Sequence, residues 1–191
     1  MMRGFHAYTL DTDLIIGDIG SKIRFWNVIL NGNKSIDAKS LSMDWGFITS
    51  VGGTIRGAFN VSTSLTLTTS DGPIIADLTL NNTRGGILSV VAATTNSSIE
   101  ITASLFSDLP PQPPRFNISA TTTNSPIDIN LLTAPRDAPL QVEVITTNGP
   151  ANAYVHPSFQ GKFQLSTEDL EPELHENRGV VVDPSGEARV R

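Results

Sequence analysis

Thr146-Thr147-Asn148-Gly149-Pro150 is a phrase that this chain repeats. Thr122-Thr123-Asn124-Ser125-Pro126, Thr94-Thr95-Asn96-Ser97-Ser98 and Thr69-Ser70-Asp71-Gly72-Pro73 are further copies. Thr49-Ser50-Val51-Gly52-Gly53 and Ser166-Thr167-Glu168 are worn ones. With the Asn/Asp place as marker, the copies fall at 51, 71, 96, 124, 148 and 168, between 20 and 28 residues apart. That is the range of repeat architectures. The repeat turn is therefore carried by Asp71, Gly72, Pro73, Asn96, Asn124, Pro126, Asn148, Gly149 and Pro150.

On either side of each turn the apolar residues alternate. Phe59, Val61, Thr63, Leu65 and Leu67 precede one turn, and Ile74, Ala76, Leu78 and Leu80 follow it. Leu140, Val142 and Val144 precede another, and Ala151, Ala153 and Val155 follow. A period of two gives strands with one buried and one wet face. Asn, Asp and Gly are expected to bend the chain because they tolerate positive φ, and the following Pro stops the ladder. One such unit cannot cover its own apolar face, but stacked units cover each other. The expected fold is all-β: a β-solenoid or an elongated stacked two-sheet structure with tight T-N-G/S-P turns. A β-sandwich is the competing architecture, although its turns usually recur every 8–12 residues or so.

The segmentation follows the repeats. Residues 1–20 are expected to lead in and cap, 21–167 to form the β-repeat domain, and 168–191 to form an acidic tail with a last short strand, cut from a longer protein. Ser166 and Thr167 are positioned to cap a short helical turn limited by Pro172. Two proline-rich insertions, Asp108–Pro114 and Thr133–Pro139, are expected to be exposed loops that lengthen the later spacings. Trp26 and Trp45 are expected to cap the N-terminal end of the stack, or else to form an aromatic platform for a ligand.

Composition narrows the chemistry. The net charge of −6 argues against nucleic acid and against an anionic membrane surface. The absence of cysteine removes disulfides, thiolate nucleophiles and cysteine-based zinc sites. His6, His156 and His175 share no metal-ligand spacing, and no nucleophile elbow or phosphate-binding glycine loop is present. The reading is thus of no catalytic, cofactor-binding or metal residue, and of no enzyme. One pattern runs against it: Asp37, Glu100 and Asp128, with Asn152, each follow the first apolar residue after a turn. On a solenoid they would share an outward column, and paired carboxylates can perform glycoside chemistry. As plain solvated positions they would keep that face soluble.

Five sequons occur, at Asn33, Asn60, Asn81, Asn96 and Asn117. Used as glycosylation sites, they would place the chain outside the cytosol. No signal peptide or spanning helix is visible in the sequence.

The repeat turn, followed by Tyr154-Val155-His156-Pro157-Ser158-Phe159-Gln160-Gly161-Lys162-Phe163-Gln164-Leu165-Ser166-Thr167 and by Val182-Asp183-Pro184-Ser185-Gly186, resembles an uncharacterised group of fungal, mushroom-type repeat proteins. It is more distantly similar to bacterial putative-adhesin domains with stacked T-N-G units. The resemblance spans roughly residues 14–190 and brings no catalytic residue with it. It implies a non-catalytic, adhesin-like structural or interaction protein, extracellular or membrane-associated. Its partner would be wall polysaccharide or another surface protein. The alternative is a carbohydrate-active enzyme, or a carbohydrate-binding module using Trp26 or Trp45.

Overall fold

The computed structural model describes residues 2–107, 115–135, 138–156, 160–168, 173–176, 180–182 and 187–190. The described elements are all strands. In chain order they are β1 (Met2–Thr9), β2 (Leu14–Asp18), β3 (Arg24–Gly32), β4 (Ile36–Ser50), β5 (Ile55–Thr69) and β6 (Ile74–Asn81). Next come β7 (Ile87–Ala93), β8 (Ile99–Phe106), β9 (Arg115–Thr122), β10 (Ile127–Thr133) and β11 (Pro139–Thr146). The chain ends in β12 (Ala151–Val155), β13 (Gln160–Ser166), β14 (Glu173–Glu176), β15 (Val180–Val182) and β16 (Glu187–Val190). Among the described residues no helix is long and apolar enough to cross a membrane.

The strands wind into a parallel β-solenoid of about seven turns. Strands before a repeat turn stack into a first wall: β1, β3, the end of β4, the end of β5, β7, β9, β11 and β13. Strands after it stack into a second wall: β2, the start of β4, the start of β5, β6, β8, β10, β12 and β14. The parallel winding stops at β13, where β16 and then β15 add in antiparallel sense.

The core lies between the walls. Ile36, Ile55, Ile74, Ile99, Ile127 and Ala151 form one continuous buried column of register partners. Leu65, Val90, Ile118, Val142 and others face them from the first wall. Each fully buried Ile or Leu contributes about 1.5–3 kcal/mol, so a column is stable only because the next coil covers it.

Three expectations change. Residues 2–18 are not a separate lead-in: β1 and β2 are a first coil in register with β3 and β4. The boundary at residue 168 likewise falls inside the stack, since β14 pairs with β12. The short helical turn expected after Ser166 and Thr167 falls on residues 169–172, outside the described residues. Trp26 and Trp45 do not cap the stack end, which β1 and β2 form, but stand 53% and 45% exposed on its side. The loop expected at Asp108–Pro114 lies outside the described residues, as do Arg136-Asp137 of the one expected at Thr133–Pro139, where Thr133 ends β10 and Pro139 begins β11.

Candidate binding face

The repeat turns form a ridge along one edge of the solenoid. Asn96 donates from Nδ2 to Oδ1 of Asp71 (3.2 Å), Asn124 to Asn96 (2.8 Å) and Asn148 to Asn124 (2.6 Å). Every amide in the ladder points the same way, and a carboxylate terminates it. Beneath it runs a buried hydroxyl ladder. Ser50, Thr69, Thr94, Thr122 and Thr146 donate to Lys34, Gly53, Gly72, Ser97 and Ser125 carbonyls of the preceding coil. The prolines fit because their carbonyls are the groups used: Pro73, Pro126 and Pro150 accept from Ile55, Ile99 and Ile127 N–H. In the worn copy, Ser70 and Asp71 N–H donate to Val51, so Val51 matches Ser70 and the marker place is held by Gly52, one residue later than the sequence suggested.

Glycine at the turn answers a different need from the one expected. Among the described residues the glycines with positive φ are Gly85 and Gly86, in the loop before β7. A Cβ at Gly53, Gly72 or Gly149 would instead overlap backbone of the preceding coil, at Lys34, Gly53 and Ser125. These glycines are there for close approach of stacked chains.

The outer face of the second wall holds the predicted acidic column. Its partners run Asp37, Arg56, Ile75, Glu100, Asp128, Asn152. Glu100 and Asp128 are therefore adjacent, but Arg56 and Ile75 separate them from Asp37. Asn152 donates to Asp128 at 2.8 Å. These side chains stand on an open strand surface. The groove on this wall, about 450 Å³, is lined by serines and threonines, Asn60 and Asp77 together with Phe59, Leu78 and Leu132, and by none of the column residues.

The outer face of the first wall is different in kind. Asn27, Trp45, Ser64, Ser89 and Asn117 form one column. Ile29, Phe47, Thr66, Val91 and Ser119 form the next, and Asn31, Thr49, Thr68, Ala93 and Thr121 a third. None of these residues is charged. Trp45 and Phe47 are neighbours two residues apart on β4, 45% and 48% exposed, with Trp26 on the adjacent strand. Large aromatics left in water near one another among uncharged residues make this face the candidate binding site.

The sequon residues divide by place. Asn33 is exposed at a turn. The Asn96 side chain is committed to the ladder on both sides. Asn60, Asn81 and Asn117 lie within strands, each with Oδ1 buried and without a hydrogen-bond partner. Among the described residues no group of three or more His, Asp or Glu could hold a metal ion. His6 lies on β1, in the first coil, whereas His156 follows β12 and His175 lies on β14, which pairs with β12, so the structure puts the last two on neighbouring strands and leaves His6 apart from them.

Residues 45–181 match a family described as a domain of unknown function, DUF7330. The chain belongs to that family. The match begins at Trp45, on the outer face of the first wall, and covers the repeat turns from Asp71 to Glu168. No curated protein and no solved structure matches the chain.

Proposed function

We propose that this DUF7330 chain is a non-catalytic, adhesin-like interaction protein of the cell surface or wall, and that the outer face of its first wall holds polysaccharide. The observation that carries this reading is the exposed cluster Trp26, Trp45 and Phe47, set beside columns of uncharged residues on that face. Aromatic rings offer a flat apolar surface to the C–H face of a pyranose ring. Asn27, Asn31, Ser64 and Thr66 supply amide and hydroxyl groups beside them for the sugar hydroxyls. The solenoid keeps these groups on rigid strands, which lowers the ordering cost of binding.

Titration of soluble wall polysaccharides against intrinsic tryptophan fluorescence tests it. A saturable change is expected, and Trp45→Ala should abolish most of it while leaving the far-UV spectrum unaltered. A flat response across neutral and acidic glucans, mannans and galacturonans would sink the reading. A glycoside-cleaving enzyme is the second reading, favoured by the register that makes Glu100 and Asp128 neighbours. Turnover lost in both Glu100→Gln and Asp128→Asn would establish it over the first.

A further inference from the structure

We infer that the glycan is acidic, and that Arg115 and Lys162 bind its anionic groups at the far end of the same face. The inference rests on the polysaccharide reading above and adds the charge of the ligand. The column that begins with Trp45 continues through Ser64, Ser89, Asn117 and Gln141 to Lys162. Those five strand steps, at roughly 4.8 Å each, span about 24 Å. A groove of about 400 Å³ occupies the Lys162 end. Its walls include Ile87, Pro139 and Leu140, which present apolar surface, and Asn117 and Gln141, which present amides.

Among the described residues its charged members are Arg115 and Lys162, and none of the described residues that line it is a carboxylate. Both side chains are exposed, and neither enters the ion pairs of the described residues, which join Arg24 and Arg84 to Asp44. The first carboxylate on this face, Glu143, stands one column over and accepts a hydrogen bond from Ser119. Two unpaired cations on one groove are conspicuous in a chain of net charge −6. The overall charge repels a polyanion at long range, so attraction depends on contact at these two groups. A linear chain laid along the stack would set ring faces on Trp45 and Phe47 and its acidic groups on the cations.

Polygalacturonate fragments and the same fragments fully methyl-esterified separate the two ideas, because the backbone is shared and only the charge differs. The acidic form is expected to bind about tenfold more tightly at low salt, from two exposed ion pairs, and the gap should close as salt rises. Arg115→Gln with Lys162→Gln should remove the gap, while Arg115→Lys with Lys162→Arg should keep it. Equal binding of both forms by the unaltered chain would overturn this inference and leave the aromatic platform standing. Polyglutamate of matched length competing as well as polygalacturonate would also overturn it, since the groove would then be a general anion patch. Binding of neither form would overturn this inference; the reading beneath it falls only if neutral glucans and mannans also leave the tryptophan fluorescence unchanged.

Discussion

At the scale of single residues, the turn uses two solutions to one problem. Where glycine holds the third place after the buried hydroxyl, its N–H donates back to that hydroxyl: Gly53 to Ser50, Gly72 to Thr69 and Gly149 to Thr146. Where serine holds it, the serine hydroxyl donates instead to the coil below, Ser97 to the Asp71 carbonyl and Ser125 to the Asn96 carbonyl. Thr146 therefore satisfies two backbone groups in a buried site, and Thr122 satisfies carbonyls alone. Thr146→Val is expected to cost about 1–3 kcal/mol by stranding a donor and an acceptor, and Thr122→Val less. Gly149→Ala should cost a similar amount, about 1–3 kcal/mol, through overlap with the Ser125 carbonyl. Urea denaturation of the three variants checks the order; equal loss in both threonine variants would refute the distinction. The amide ladder was legible in the sequence because Asn recurs at one phase. The role of glycine was not, because positive φ and close approach select the same residue.

At the scale of elements, β4 and β5 are the informative pair. Each is a single strand of 15 residues that bends from the second wall into the first without a loop. Alternation read from Phe59 to Leu67 treats this stretch as one run before the turn. In fact Phe59 and Val61 belong to the second wall, Leu65 and Leu67 to the first, and the register slips between them. The slip is visible in burial: Leu41, Ser42, Met43 and Asp44 are buried in succession, and so are Val61 and Ser62. A simple period of two cannot announce a corner that has no turn residues. The corner drives Asp44 inside, 1% exposed, where Arg24, Ser62 and Arg84 bind its carboxylate. Arg84 reaches in from the Gly85-Gly86 loop, so the carboxylate ties that loop to the bend. Asp44→Ala is expected to lower stability by about 1–3 kcal/mol, below the loss for a fully buried pair because both arginines reach solvent. Arg84→Ala should cost under about 1 kcal/mol. Thermal unfolding of the two variants gives the comparison, and a larger loss at Arg84 than at Asp44 would show that the loop, not the bend, depends on the cluster.

For the whole molecule, the repeated register makes a stronger demand than any single contact. Each coil touches chiefly the coil before and the coil after, so stability is close to a sum over neighbouring interfaces. A coil removed in phase should leave its neighbours matched. Deleting residues 96–123, a full spacing of 28, joins Thr95 to Asn124 and makes one coil from β7 and β10. Ile74 would then face Ile127 in place of Ile99, and Leu88 would face Leu140 in place of Phe116. Asp71 would accept from Asn124, and the ladder would continue to Asn148. The shortened chain is expected to keep a β-type circular dichroism spectrum and a cooperative transition. Its loss should be about 1.5–4 kcal/mol, from the usual 0.05–0.15 kcal/mol per residue. Deleting residues 96–109 instead removes β8 while leaving β9, so a first-wall strand would be asked to continue in the second wall with no partner in register. That chain should fail to fold. If both deletions unfold the protein, the coils are not equivalent units and the neighbour-by-neighbour account is wrong. If the first alone survives, the account stands; that chain also lacks Arg115, so its preference for acidic over esterified glycan should fall.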